Sequence, residues 1–151
     1  MNFRKYYVAQ IALAVTILLA DRITKTLALT YCTTERVINS YASCILTFNR
    51  GISWGMLSDA NNEVFWGVTL MIACITAYLA YLTLQRMRAG DSSFGYVCVV
   101  AGSVSNLIDR LMYGAVIDFI DVHVWPVFNV ADVAIVVGVG VIAWQSCISG
   151  E

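Results

Sequence analysis

From residue 64 to residue 84 the chain carries no charged side chain and is almost wholly apolar, and such a stretch can cross a bilayer core as one helix. In hydrocarbon every backbone N–H and C=O must find its partner within the segment, which a helix achieves and an isolated strand or loop does not. Three more segments, 6–28, 94–112 and 130–148, approach the same length, against the ~20 mostly apolar residues that a ~30 Å core requires. Over its 151 residues the chain is 60% hydrophobic and 13% charged, where a soluble domain is ~45–50% apolar and ~25% charged. The expected fold class is an all-α integral membrane protein, a four-transmembrane-helix bundle in a single membrane domain over 1–151. A formal net charge of −1 with no run of Lys or Arg argues against a nucleic-acid partner.

Arg4 and Lys5 precede the first apolar stretch, as in a secretory signal. The apolar run nevertheless resumes after the polar patch at 21–25 through Leu27, Ala28, Leu29 and Tyr31, and no small-x-small cleavage site follows the first run. A retained spanning helix is expected. Basic residues set its orientation: Arg4 and Lys5 lie at the amino end and Arg86 and Arg88 between the second and third segments, while 113–129 has no Lys or Arg. Excess positive charge marks the cytoplasmic side. Both termini are therefore expected inside, with loops 31–63 and 113–129 outside.

Three polar clusters interrupt the apolar segments: Asp21 with Lys25, then Asn106, Asp109 and Arg110, then Asn129 and Asp132. Asp21 and Asp109 each fall ~22 Å from the inner end of their helix at about 1.5 Å per residue, and Asn129 and Asp132 open the fourth helix from outside. All gather in the outer third of the bilayer. Ionisable groups at such depth are costly and usually mark a functional site or a polar cavity. Asn106 lies i,i+3 from Asp109 and i,i+4 from Arg110, so the three are expected to face one groove. Singly, each cluster has a bland reading: Asp132 as a first-turn acid on the helix dipole, Asp109 with Arg110 as an ion pair between helices. The bland readings do not account for the clusters coming together.

Asp118 completes the set. It sits in Gly114-Ala115-Val116-Ile117-Asp118-Phe119, expected as loop just outside the third helix, and Pro126 closes that loop before Phe128-Asn129-Val130-Ala131-Asp132. Two carboxyls in partly apolar surroundings share one proton, because like charges a few ångströms apart cannot both ionise. One then draws a proton from water while the other polarises a scissile carbonyl, which is peptide hydrolysis without a metal or a covalent intermediate. Asp121, one turn or one strand repeat further on, is the nearest other candidate acid.

Five ordered blocks now resemble one known family. Asp21-Arg22-Ile23-Thr24-Lys25, Asn49-Arg50-Gly51-Ile52-Ser53-Trp54-Gly55, Gly102 through Asn106 to Asp109-Arg110, Gly114-x-Val116-x-Asp118-Phe119, and Phe128-Asn129-x-Ala131-Asp132 look like those of signal peptidase II, the lipoprotein signal peptidase. The resemblance covers nearly the whole chain. It implies a membrane aspartyl endopeptidase of the bacterial inner membrane that cuts diacylglyceryl-modified prolipoproteins just before the lipidated cysteine, with no cofactor. Residue by residue, the catalytic pair maps to Asp118 and Asp132. Asn49 and Arg110 match positions that contact the substrate backbone, with Gly51 beside Asn49 in its block. Asp21, Lys25, Asn106, Asp109 and Asn129 match residues that support the site. Lipidated prolipoprotein and membrane lipid are the implied partners, and a monomer is expected. The family also builds a small extracytoplasmic β-structured platform and an interfacial helix from the first outer loop. Val37–Ile45 and Thr47–Trp54, broken by Asn49-Arg50-Gly51, suit such strands. Trp54, Ser53 and Ser105 stand where the family usually has Phe, Ala and Gly, and none of these removes an ionisable group.

His123 is the chain's one histidine, so neither a multi-histidine metal site nor a Ser-His-Asp triad with spare ligands is available. Cys74, Cys98 and Cys147 are expected as small core hydrophobes. Cys32 and Cys44 both fall outside by this topology, where disulfides form, and spacing leaves their pairing open. Gly138 and Gly140 are expected to permit close helix packing. A proton-coupled carrier would also use intramembrane acids, but it requires polar groups continuing to the inner leaflet. A non-catalytic assembly subunit would offer no reason to keep a loop carboxylate beside a second one.

Overall fold

The structure, a computed structural model, describes residues 3–51 and 62–149. Among these residues four helices, α1 (Phe3–Tyr31), α2 (Asn62–Ala89), α3 (Phe94–Tyr113) and α4 (Val130–Ser149), accompany three strands, β1 (Arg36–Asn39), β2 (Ala42–Asn49) and β3 (Val116–Asp121). The helices cover the expected apolar segments and run past their ends. α2 continues through Arg86 and Arg88 in its last turn, where basic side chains meet the negative end of the helix dipole. α1, α2 and α4 are long and apolar enough to cross a membrane over Lys5–Tyr31, Asn62–Ala89 and Val130–Ile148. α3 has 20 residues, but Ser103, Ser105, Asn106, Asp109 and Arg110 dilute its apolarity.

α3 is the axis of the bundle, packed against each of the other three helices. Polarity is inverted relative to a water-soluble domain. Lys25, Asp21, Asp109, Asp118 and Asn129 are among the largest fully buried side chains, while Leu70, Val136, Trp144 and Leu111 are 66–70% exposed. An apolar exterior of this extent suits lipid, and the buried polar groups must then satisfy one another.

Glycines let α3 and α4 approach. A Cβ at Gly102 would stand 2.5 Å from the Ala131 carbonyl, and one at Gly138 would stand 2.6 Å from that of Gly95. Gly140, expected to share this role, meets nothing within 4 Å; it falls on the exposed face of α4. Gly102→Val is therefore expected to lower stability by about 1–3 kcal/mol through overpacking and to reduce activity, since Ala131 adjoins Asp132. Gly67→Ala, where an added Cβ meets nothing within 4 Å, should leave activity unchanged and should not lower stability. Thermal melting and turnover measured together check the contrast. Among the free cysteines Cys98 is buried, whereas Cys74 and Cys147 lie exposed on helix exteriors rather than in a core.

The sheet has the order β1-β2-β3 with antiparallel neighbours. The first reversal comes earlier than the residue pattern suggests. Asn39 Oδ1 accepts the Tyr41 N–H at 2.8 Å, a side-chain turn that splits Val37–Ile45 into β1 and the start of β2. β2 then runs through Leu46 to Asn49. The Ile52–Trp54 part of the expected second strand, and the place of an interfacial helix after it, lie outside the described residues. Cys32 and Cys44 are joined in a disulfide with Cα atoms 5.5 Å apart, tying the end of α1 to β2. At the other end of the bundle Tyr6 Oη donates to the Asp91 carbonyl at 2.6 Å, and Gln145 Nε2 donates to Ser92 Oγ at 3.0 Å.

Candidate active site

Asp118 stands on a strand, not in a loop as the sequence suggests. Gly114 ends α3 in the left-handed conformation, φ 65°, and donates its N–H to the Arg110 carbonyl, a common helix stop that favours glycine. The chain then turns back as β3, whose backbone groups pair with β2: Asp118 faces Thr47 across the ladder, and Ile117 faces Phe48. Val116 through Phe119 are all buried, so the alternation that would betray a half-exposed strand is missing.

Asn129 joins the two candidate acids. Its Nδ2 donates to Asp118 Oδ1 at 2.7 Å, and its backbone N donates to Asp132 Oδ2 at 3.2 Å. Its Oδ1 accepts the Asp132 backbone N–H at 2.9 Å. The last two bonds form a reciprocal cap at the start of α4. The bland reading of Asp132 as a first-turn acid is thus true, and the same residue still faces the cleft. The remaining oxygens are held from two directions: Asn49 Nδ2 donates to Asp118 Oδ2 at 3.0 Å, and Asn106 Nδ2 donates to Asp132 Oδ1 at 2.8 Å.

Burial raises the proton affinity of Asp118, and the negative charge of Asp132 adds to it. The hydrogen bonds from Asn49 and Asn129 and the positive charge of Lys25 oppose them, and the outcome is a pKa of about 7. A carboxyl poised near neutrality beside a second one can hold the single proton of an acid–base pair.

Behind the pair lies a neutral cluster of two acids and two bases. Lys25 Nζ donates to Asp21 Oδ2 at 2.8 Å, Asp109 Oδ2 at 2.7 Å and Asn106 Oδ1 at 2.8 Å, using all three of its N–H groups. Arg22 Nη2 pairs with Asp109 Oδ1 at 2.7 Å and Asp21 Oδ2 at 3.2 Å. Ser105 Oγ donates to Asp21 Oδ2 at 2.6 Å, and Ala131 N donates to Asp21 Oδ1 at 2.8 Å. Asp109 Oδ2 also accepts the Ile117 N–H at 3.2 Å, so this cluster holds both α4 and β3. Because Lys25 claims Asn106 Oδ1, the Asn106 amide must turn its N–H groups toward Asp132.

The third helix does not present its polar residues to one groove. Asn106 and Arg110 line the cleft, whereas Asp109 turns to α1. At 100° per residue, positions i+3 and i+4 fall on either side of residue i, and here the neighbouring helix takes one of them. Asp109 and Arg110 consequently do not form a mutual ion pair; Arg110 Nη2 donates to the Gly51 carbonyl at 3.2 Å, and Gly51 N donates to Asn49 Oδ1 at 2.9 Å. Asp121, odd-numbered along β3 from Asp118, accepts from Ser43 Oγ at 3.3 Å and stands 3.4 Å from His123 Nδ1, away from the cleft. Of the other expected site residues, Asn49, Gly51, Asn106, Arg110, Asp118 and Asp132 line the cleft, Asp21, Lys25 and Asp109 form the cluster behind it, and Asn129 joins the two acids. Arg22 and Ser105 had no assigned role from sequence. The adjacency of Arg22 to Asp21 is a usable signal for the first, and the departure from the family's usual glycine is one for the second.

The cleft has a volume of about 550 Å³. Asp118, Asp132, Asn49 and Arg110 contribute polar groups to its lining, and Ile72, Ile135 and Val136 apolar ones. Such a site can hold an extended peptide bond at the carboxyls while an apolar segment leaves between helices. No group of three or more His, Cys, Asp or Glu side chains suited to a metal occurs among the described residues.

Residues 13–148 match the family described as signal peptidase (SPase) II. The lipoprotein signal peptidase of Dichelobacter nodosus is 38% identical over 132 residues, covering 84% of this chain and 86% of the relative. That of Azoarcus sp. is 30% identical over 147 residues, covering 93% and 84%. Among solved structures, a bacterial membrane enzyme determined by the in meso method at 2.3 Å superposes with a TM-score of 0.73 at 25% identity, covering 95% of this chain and 91% of that one.

Proposed function

Because the chain belongs to the signal peptidase II family, we propose that Asp118 and Asp132 are its catalytic pair. The enzyme is an aspartic endopeptidase that removes the signal peptide from diacylglyceryl-modified prolipoproteins, immediately before the lipidated cysteine. One observation carries the residue assignment: Asn129 hydrogen-bonds both carboxyls, which share one cleft at the junction of helices and sheet.

In this reading one carboxyl takes a proton from water, the water oxygen attacks the scissile carbonyl, and the other carboxyl gives its proton to the carbonyl oxygen. Collapse of the tetrahedral intermediate returns a proton to the leaving amine, and the pair is reset. Asn49, Gly51 and Arg110 form the substrate-facing wall. Asp21, Lys25, Asn106, Asp109 and Asn129 fix the geometry from behind, with Arg22 and Ser105 added to that cluster. α3 is the fourth span, its polar side chains masked by the other helices. Both termini lie in the cytoplasm of a bacterial cell, and the cleft opens at the outer leaflet of the inner membrane. There the substrate's acyl chains stay in lipid while its peptide bond enters. A monomer contains every residue of this site.

Purified protein in detergent, given one prolipoprotein with and without its diacylglyceryl group, tests the substrate class. Cleavage of the lipidated form alone is expected; equal cleavage of both, or of neither, would count against it.

The rate should follow a bell-shaped pH profile. Asp118, with its pKa at about 7, loses the shared proton as pH rises through neutrality, leaving two carboxylates and no acid. At low pH the second carboxyl takes up a proton and the base is lost. An alkaline limb near pH 7 is expected in kcat/KM, and a rate that is flat from pH 6 to 9 would contradict the assignment.

A further inference from the structure

The Cys32–Cys44 bridge is remote from the catalytic carboxyls, yet one strand connects it to them. Cys32 directly follows α1, its N–H donated to the Ala28 carbonyl, and its own carbonyl accepts the Leu46 N–H at 2.8 Å. Its sulfur is bonded to Cys44 of β2. Ala28 and Phe119 cover the bridge, with Ile120 and Val130 packed beside them. The register of β2 against β3 slips between Cys44 and Thr47, so the backbone ladder is weakest there. Beyond the slip, β2 delivers Asn49 to Asp118 and leads to Gly51 under Arg110. The same helix α1 carries Lys25 seven residues before Cys32, fixing the helix-side wall of the cleft through Asn106. Both walls are therefore referenced to one helix, and the disulfide supplies the sheet-side reference where the ladder does not.

We propose that the Cys32–Cys44 disulfide is a positioning device for substrate binding. The reducing side of the membrane would not sustain the bond, so the inference rests on the placement of the sheet proposed above. Asn129 bridges the two carboxyls without help from β2, so loss of the disulfide loosens the substrate-facing wall more than the acid pair.

The test compares untreated wild type, dithiothreitol-treated wild type, Cys32→Ser, Cys44→Ser and the space-filling pair Cys32→Ala/Cys44→Val, all on one lipidated prolipoprotein. N-ethylmaleimide labelling in denaturant counts the thiols. Untreated wild type should label at Cys74, Cys98 and Cys147 alone, and the reduced enzyme at all five cysteines. The expected result is a ~10-fold rise in KM with kcat within ~3-fold, the pattern for lost binding rather than lost chemistry. It should be alike in both single variants and the pair, with dithiothreitol reproducing it in wild type and adding nothing to the variants. Active untreated enzyme that labels at five cysteines would overturn the proposal, as would a wild-type KM in the space-filling pair or in the reduced enzyme. Untreated wild type that is folded and bridged but cleaves nothing would sink the peptidase reading and this inference with it. Active wild type with unchanged variants sinks the inference alone.

Discussion

Asp118→Asn and Asp132→Asn are each expected to slow cleavage of a lipidated prolipoprotein by at least ~10³-fold while the bundle stays folded, a loss in the range seen when an acid–base group is removed from a unit that works as one. The amide matches the carboxyl in shape and cannot exchange a proton near neutral pH. At 132 an amide oxygen can still accept the Asn129 N–H that caps α4, which Asp132 Oδ2 now accepts at 3.2 Å. At 118 the single oxygen can keep Asn129 or Asn49 as donor, not both. The double variant should be no slower than either single one, since a pair sharing one proton fails when either member fails. Stability supplies an independent readout. Asp118 has a folded pKa of about 7 against an ordinary 3.8, so the folded state holds the proton more tightly than the unfolded chain. Wild-type stability from this group therefore falls as pH rises from about 4 to about 7 and levels off above. Asp118→Asn lacks that slope, and its melting temperature relative to wild type should climb across the same window. Full activity in either variant would refute the pair; a parallel pH dependence of melting would refute the buried, proton-holding Asp118.

The helices were legible because lipid imposes one rule on backbone polar groups, and bilayer-length apolar runs such as 64–84 have a single solution. The polar clusters were legible as a site for the same reason: Asp21, Lys25 and Asn129 are expensive where they lie unless they face one another. Asp118 was legible as a residue and not as an element. β3 is short and buried over Val116–Phe119, and its pairing partner β2 lies some seventy residues earlier, as the Asn49 to Asp118 bond shows; local periodicity carries no such information. Asp109 shows the complementary limit. Helical spacing places Asn106, Asp109 and Arg110 on neighbouring faces, but which neighbour each face meets depends on the packing of α1. Ser105 stands where the family usually has glycine, and its hydroxyl completes the shell around Asp21. A hydroxyl's value depends on a partner from another helix, and nothing in the chain between them announces it.

Lys25 tests whether the cluster behind the pair positions the chemistry or only holds the helices together. The residue is 1% exposed, and its ammonium meets three acceptors at 2.7–2.8 Å. Lys25→Met leaves Asp21 and Asp109 with Arg22 as their one cation, an uncompensated buried charge that should cost ~3–5 kcal/mol. Lys25→Arg should not rescue it, because a planar fork cannot reach three acceptors gathered around one point. Adding Asp109→Asn to Lys25→Met restores neutrality with Asp21 and Arg22, so the double variant should be more stable than the sum of the single losses predicts. Activity is expected to part company with stability here. With Lys25 gone, Asn106 Oδ1 keeps only the Asn129 Nδ2 donor at 3.1 Å, so the amide that donates to Asp132 Oδ1 is held less firmly in its place. The double variant should thus melt above Lys25→Met alone and still cleave at least ~10-fold more slowly than wild type, the scale of one weakened hydrogen bond to a charged group. A double variant that regains both fold and full rate would show that the cluster is a helix clamp, with the Asn106 amide held correctly by Asn129 alone.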